Sequence, residues 1–338
     1  MNKILLIRFS SIGDIVLTTP VIRCVHDQLP GVEIHVLTKS PYRSLYAANP
    51  YVKRVFDTSG VLEDVLPLLK EERYDFVIDL HKNWRSLRVR RALRCPSASF
   101  PKLDFQKFLY TKLKLGRLPK VHIVDRYFRA VERLGVHNDG RGLDFFFSEG
   151  DELHYEDLPE TFQDGFVAVV IGGQHATKIL PLDKVVEVCE ALEYPVLLVG
   201  GSEDSAKGER IVQKVGKNVE NYCGRLTLGQ SASLLNLAEV VLTNDTGMMH
   251  IAAALRKPIV SVWGNTVPEF GMYPYLPEGM TPAVIIENKS LKCRPCDKLG
   301  YEKCPKGHFN CMNSLDANEI AEKIKAGLSP GFCGTSGN

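Results

Sequence analysis

Short apolar segments that end in small or acidic residues, each followed by an amphipathic stretch, recur along this chain, and that alternation constrains its fold more than any other feature. Residues 3–9 form an apolar strand closed by the turn Ser10-Ser11-Ile12-Gly13-Asp14. Ile15, Val16, Val21, Ile22, Val25 and Leu29 follow at near-helical spacing, and Pro20 either kinks that helix or marks a late start. Pro30-Gly31 ends it; residues 33–38 read as a second strand, 61–70 as a helix and 74–80 as a third strand. The second half repeats the plan, with strands at 166–171, 195–199, 240–243 and 258–262. Helices at 181–192, up to Val215, at 227–238 capped by Thr227, and at 246–255 separate them. Strands alternating with helices make a parallel sheet covered on both faces. Two such runs in 338 residues predict an α/β protein of two Rossmann-like, doubly wound parallel-sheet domains facing a cleft. The expected domains are 1–155 and 163–328, joined through the acidic segment 151–165. Asp316 and Glu319 are placed like a capping box for a last helix, and the Gly/Ser-rich residues 329–338 are expected to form a disordered tail.

Ligands of open parallel sheets bind beyond the carboxyl ends of the strands, so the informative residues sit just after strands. Thr243-Asn244-Asp245-Thr246-Gly247-Met248-Met249-His250 joins a strand to a helix, placing Asp245, Thr246 and Gly247 where free N–H groups attract phosphate. Gly247 allows close approach of a ligand, and His250 lies one turn further on. Asp245 also suits a helix cap, and His250 a packed core position. Gly172-Gly173-Gln174-His175-Ala176-Thr177-Lys178 offers a lysine and a hydroxyl in a Gly-rich loop, which suits a diphosphate. Gly200-Gly201-Ser202-Glu203-Asp204 places acids where ribose hydroxyls bind, or where a helix is capped. In the first half, Asp14 is a carboxylate at a strand exit, fit for a general base or for a cap; Asp79, at the end of the third strand, is the next such carboxylate.

Charge divides the chain unevenly. Residues 1–150 hold 25 Lys and Arg against 16 Asp and Glu, and the rest hold 17 against 24. Between His81 and Lys120 there are 12 basic residues, and Asp104 is the one acid. A block this one-sided suggests a polyanionic partner: nucleic acid, anionic lipid headgroups or a phosphorylated substrate. Cys293, Cys296, Cys304 and Cys311 have a spacing that permits a four-thiolate structural zinc site, while a lobe of free thiols or a disulfide is the plainer alternative. Basic block and zinc module together would suit a nucleic-acid-binding protein, although they leave the phosphate turns without a use. The chain has no Gly-x-Gly-x-x-Gly, no P-loop and no Asp-x-Asp, so no dinucleotide cofactor and no catalytic metal are expected. Any diphosphate must then be neutralised by helix termini and Lys178. The N-terminal apolar run is closed by Arg8 and no run reaches the roughly 18 residues of a membrane span, so a cytoplasmic location is expected.

Three stretches, residues 9–20, 176–181 and 243–254, resemble the opening motif, the donor-phosphate loop and the signature of glycosyltransferase family 9, the ADP-heptose:lipopolysaccharide heptosyltransferases. The similarity runs over nearly the whole chain in the right order. It implies a GT-B fold and an inverting, metal-independent transfer of heptose from ADP-heptose to a Kdo-lipid A type acceptor, with another nucleotide-hexose or glycan as the alternative. It implies that Asp14 is the base and that Lys178, Thr177, Thr246 and Gly247 hold the diphosphate. Asp245 and His250 then lie against the donor, and Glu203 or Asp204 at its ribose. Ser10, Ser11, His81, Lys82, Arg85 and Arg88 fall on the acceptor side, where the basic block meets an anionic, lipid-linked acceptor at the inner membrane surface. No nucleic acid is expected.

Overall fold

The computed structural model describes residues 1–116 and 118–328. Strands β1 (Lys3–Ile7), β2 (Glu33–Lys39), β3 (Arg54–Thr58), β4 (Phe76–Asp79) and β5 (Ser97–Ser99) pair in the order β3-β2-β1-β4-β5, parallel throughout. Strands β6 (Val167–Val170), β7 (Val196–Val199), β8 (Val219–Asn221), β9 (Val240–Asn244), β10 (Ile259–Trp263) and β11 (Val284–Glu287) form a second parallel sheet in the order β11-β10-β9-β6-β7-β8. This is the GT-B arrangement of two doubly wound sheets. Alternate residues of the inner strands enter different cores. Ile4 and Leu6 join one apolar cluster while Leu5 and Ile7 join another; Ala168 and Val170 join the first while Val167 and Val169 join a third. Burial on both faces is why the inner strands read as unbroken apolar runs. The first cluster contains residues of both sheets, so the two halves share apolar core along the side where they meet.

The seven expected strands are the seven inner ones, and the four that the apolar pattern did not mark, β3, β5, β8 and β11, are the four sheet edges. An edge strand has one neighbour and tolerates polar residues, as in Arg54-Val55-Phe56-Asp57-Thr58. Pro20 marks a start rather than a kink: the chain makes two helices, Ile12–Val16 and Thr19–Gln28, and the proline sits in the first turn of the second. The expected helix at 61–70 is shorter, Leu66–Glu71, because Pro67 sets its first turn. Asp316 caps Ala317–Lys325 alone, accepting from Asn318 N at 2.9 Å, so the expected capping box is a single-residue cap. The segment 151–165 is packed rather than loose: Leu158 and Phe162 are buried, and Leu153 N donates to Ser233 Oγ at 2.8 Å. The expected tail, 329–338, lies outside the described residues. No helix among the described residues is long and apolar enough to cross a membrane.

One close approach locks the halves together at the strand exits. A methyl group on Gly13 would lie 2.6 Å from His250 Cδ2, and one on Gly247 would lie 2.8 Å from Ile12 Cγ2. The helix Ile12–Val16 of the first half thus crosses the start of the helix Gly247–Ala254 of the second, each glycine packed against a side chain of the other helix. Gly13→Ala should therefore lower stability by about 1–3 kcal/mol through overpacking against the buried imidazole. Urea unfolding measures this, and a wild-type midpoint would mean that the crossing yields without strain.

Candidate active site

The exit of β1 is organised by a buried cation. Arg8 is 7% exposed and uses every side of its guanidinium. Nε donates to Ser10 O at 2.7 Å, Nη1 to Leu80 O and to the Tyr127 hydroxyl at 3.1 Å, and Nη2 pairs with Asp14 Oδ1 at 2.6 Å. The other Asp14 oxygen accepts from Ser11 N at 3.3 Å and Ser11 Oγ at 3.1 Å. Burial alone would raise the Asp14 carboxyl, but the Arg8 guanidinium and the Ser11 amide and hydroxyl outweigh it and hold the group below the usual carboxylate range. Asp14 is therefore an ionised, oriented carboxylate with 25% of its side chain exposed. It also accepts from the Ser11 N–H as a cap would. Asp79 is no alternative base. It is 1% exposed, with Oδ1 accepting from the His81 and Lys82 amides at 3.1 and 2.7 Å and Oδ2 from Ser86 Oγ at 2.8 Å, which makes it the anchor of the turn after β4.

Across from this exit lies a cavity of about 460 Å³. Ser11, Ile12 and Gly13 form one wall; Gly172, Gly173, Gly200, Gly201, Glu203, Asp204 and Thr246 to Met248 form the other, with Val170, Val199, Leu226 and Leu228 as an apolar floor. Glycine turns, a helix start, an apolar slot and an exposed acid in one enclosure suit a nucleotide diphosphate. Thr246 is the residue that precedes the helix Gly247–Ala254, and its hydroxyl has no hydrogen-bond partner. Asp245 therefore is not the cap. It pairs instead with Lys178 Nζ at 2.7 Å and accepts from Thr266 Oγ1 at 2.7 Å. Lys178 is not among the residues lining the cavity. His250 is 2% exposed against Gly13, its Nδ1 unpaired; burial lowers its pKa to about 4, although Asp245 and Asp14 push it the other way, so the ring is neutral at pH 7.

Four expectations change in detail. The neighbour that needs Gly247 to lack a side chain is Ile12 of the other half, not a ligand. Thr177 is 2% exposed and its hydroxyl is committed to Tyr301, accepting from the amide at 2.8 Å and donating to the carbonyl at 3.1 Å, so it has nothing left for a phosphate. Of the two acids at the ribose position, Glu203 is exposed, whereas Asp204 is buried between Gly172 and Gly200 and accepts from Gly201 N at 3.0 Å. Among the described residues, no three His, Cys, Asp or Glu side chains are grouped to hold a metal. Cys293 Sγ lies 3.9 Å from His308 Nε2, burial raises the Cys296 thiol and takes Cys311 to about 11, and none of these or Cys304 is in a disulfide.

On the expected acceptor side, burial and the charges of Arg8 and Lys102 lower the His81 pKa to about 3, so it carries no charge at pH 7. Lys82 Nζ donates to Phe100 O at 2.9 Å, and the Arg85 guanidinium lies over the Trp84 ring at 5.3 Å. Arg88 pairs with Glu63, and Lys114 donates to the carbonyls of Cys293 and Pro295, so the block is less one-sided in space than in sequence. Several cations whose partners only the fold supplies escaped the sequence, among them Arg8, Lys207 and Arg294. Besides Arg8, Lys207 Nζ donates to Ile171 O and Leu180 O at 3.1 and 3.2 Å. Arg294 gathers the carbonyls of Trp263, Gly264, Thr266 and Asn288 and the Glu287 carboxylate, which fixes the cysteine lobe under β10. Arg8 alone offered a signal, as a basic residue at the end of an apolar run.

The family model described as glycosyltransferase family 9 (heptosyltransferase) matches residues 66–301. The chain belongs to glycosyltransferase family 9. It is accordingly a glycosyltransferase, and the cavity between its halves is the candidate active site of a family-9 enzyme. The lipooligosaccharide heptosyltransferase 2 of Haemophilus influenzae is 33% identical over 145 residues, 42% of this chain and 40% of that protein. The chain thus aligns with less than half the length of that relative. The lipopolysaccharide heptosyltransferase 3 of Escherichia coli is 25% identical over 285 residues, 75% of this chain and 80% of that one. The solved structure of the E. coli ADP-heptose lipopolysaccharide heptosyltransferase II superposes with a TM-score of 0.73 at 22% identity, covering 96% of this chain and 98% of that one, and shares its fold.

The Arg8–Asp14 pair gives this family-9 site an acid-sensitive joint. Because the folded Asp14 pKa is lowered, the pair's contribution is fully present above the unfolded value of about 3.9 and is lost as pH falls through the folded one. Asp14→Asn should cost roughly 1–3 kcal/mol at pH 7, less than a fully buried pair because the carboxylate is partly exposed. The difference from wild type should shrink with acidification in urea titrations. A gap that stays constant or widens toward low pH would mean the pair does not stabilise the fold.

Proposed function

We propose that this family-9 enzyme is an inverting, metal-independent transferase that moves a heptose from ADP-heptose to a lipopolysaccharide inner-core acceptor of the Kdo-lipid A type, held at the inner face of the cytoplasmic membrane. The observation that carries the proposal is the position of one ionised carboxylate. Asp14, fixed by Arg8 and Ser11, follows directly on the residues that wall the cavity from the first half, while the glycine turns and the start of the helix Gly247–Ala254 wall it from the second. The N-terminal half, residues 1–155, then serves the acceptor, and residues 163–328 serve the donor.

In this scheme the donor diphosphate lies at the start of the helix Gly247–Ala254, where backbone N–H groups and the helix dipole favour negative charge. Lys178 turns from Asp245 to the phosphates, and Thr266 keeps the released Asp245 carboxylate in place. The unpaired Thr246 hydroxyl and the neutral His250 ring supply neighbouring polar groups. Glu203 takes the ribose hydroxyls, and the apolar floor takes the adenine. The acceptor hydroxyl attacks the anomeric carbon from the face opposite the diphosphate. Its proton passes to Asp14 as the new glycosidic bond forms, and ADP leaves with the bonding pair. Helix terminus and lysine supply the positive charge that a metal supplies in enzymes with an Asp-x-Asp motif. Arg85, beside Trp84, and Arg88 face the anionic acceptor. The relatives' heptosyltransferase activities support the sugar.

Nucleotide binding tests the donor half. With EDTA present, ADP at about 100 times its dissociation constant should stabilise the enzyme by roughly 2.7 kcal/mol. Lys178→Ala should weaken that binding at least about tenfold, as loss of a charge-assisted contact does. Thermal shifts seen only with Mg²⁺ or Mn²⁺, or none with ADP, UDP or GDP, would contradict the proposal.

A further inference from the structure

Five large apolar side chains stand in solvent on neighbouring elements of the first half: Trp84 is 66% exposed, Phe105 70%, Phe108 54%, Leu113 54% and Leu115 60%. Trp84 opens the helix Trp84–Leu93, and the others belong to the helix Asp104–Phe108, its wider continuation Leu109–Leu113 and the turn beyond. The two elements adjoin, because Lys102 Nζ reaches the carbonyls of His81 and Lys82 at 3.5 and 3.3 Å and one surface cavity runs from Lys82 to Phe105. Phe105, Phe108 and Lys112 share one helical face at i, i+3 and i+7.

This exposure is built rather than accidental. The segment 104–114 is tied to the cysteine lobe at both ends, through Asp104 with Lys298 at 3.2 Å, Lys112 with the Tyr301 hydroxyl at 3.2 Å, and Lys114 with the Cys293 carbonyl at 3.2 Å. Held this way, it presents phenylalanine and leucine outward where a soluble face would carry polar residues. Cations lie among them: Arg85 stacks on Trp84, and Arg91 and Arg94 are exposed with no ion pair among the described residues. Lys107, on the helix that carries both phenylalanines, lies over the Phe270 ring at 5.5 Å. The face belongs to the half that carries the candidate base.

Aromatic and aliphatic side chains interleaved with arginine and lysine match one occupant, the boundary between headgroups and acyl chains of an anionic bilayer. We propose that the enzyme docks on anionic membrane by inserting Trp84, Phe105, Phe108, Leu113 and Leu115 below the headgroups, with the arginines at headgroup level, so that a lipid-held acceptor is presented to Asp14 in the plane of the bilayer. This rests on the acceptor being membrane-held, as proposed above; the donor site and Asp14 do not depend on it.

The chain contains its own reporter. It has 2 tryptophans, and Trp263 is 1% exposed, so an emission change on adding vesicles comes from Trp84. With phosphatidylethanolamine–phosphatidylglycerol vesicles the emission should shift to the blue and be quenched by lipids brominated in the acyl chain. High salt should weaken the binding without abolishing the shift at saturating lipid. Phe105→Ser with Phe108→Ser should lower vesicle affinity at least about tenfold while the melting temperature, ADP binding and turnover of a delipidated acceptor stay at wild-type values. Unchanged Trp84 emission, or vesicle binding that salt abolishes and the double variant retains, would overturn insertion. So would a dimer in sedimentation that the double variant converts to monomer, which would assign the face to a second copy of the chain. In each of these outcomes normal turnover of the delipidated acceptor leaves the proposed reaction standing; loss of that turnover in wild type would count against the reaction itself.

Discussion

A guanidinium taken out of water must find a partner on every side, and at Arg8 those partners assemble the first half of the site. It draws together the chain after β1, the exit of β4 at Leu80, the hydroxyl of Tyr127 and the carboxylate of Asp14. Removing one member of a fully buried pair typically costs about 3–5 kcal/mol, because the charge left behind is uncompensated, and less here because the carboxylate is partly exposed. The same contact that anchors the fold therefore also orients and ionises the candidate base. It carries a chemical consequence: a carboxylate held below its usual range is a weak base at rest, so it suits a reaction in which the hydroxyl becomes acidic only as its bond to carbon forms.

The second half uses a different device at the equivalent place. After β9 the helix Gly247–Ala254 begins with an unpaired threonine hydroxyl and free backbone N–H groups, while the neighbouring lysine and aspartate neutralise each other. Tyr301 holds the loop that carries Lys178 from behind and Arg294 holds the turn after β10, which gives the cysteine lobe a structural use. The Gly13–Gly247 crossing then fixes the distance between the two devices, since neither glycine can gain a methyl group without meeting the other half.

Much of this was legible in the sequence, and the exceptions have one cause. Inner strands announce themselves because both faces are buried; edge strands such as β8 and β11 do not, because half of their environment is solvent or helix ends. The strand-exit positions of Asp14, Glu203, Thr246 and Gly247 follow from local pattern alone. The partners of Arg8, Lys207 and Arg294 are backbone carbonyls, carboxylates and one hydroxyl, up to 119 residues away, and no local pattern encodes them. Thr177, and in part Asp204, which still lines the cavity, are drawn into local contacts for the same reason. Each has the right residue type at the right offset, and each is claimed by a neighbour, Tyr301 or Gly201, that only the fold supplies. The basic block misled in the opposite direction, since acids such as Glu63 and Asp297, distant in sequence, sit against part of it.

The central claim is that a single carboxylate, held by Arg8, takes the proton of the attacking hydroxyl. It is tested most directly by the single-turnover rate of Asp14→Asn with saturating ADP-heptose and acceptor, measured beside its ADP affinity. The amide keeps the shape and removes the base, so transfer should fall by about 10²–10⁴-fold while ADP binds as in wild type. A transfer rate within a few-fold of wild type, with the variant folded and ADP bound, would contradict the account.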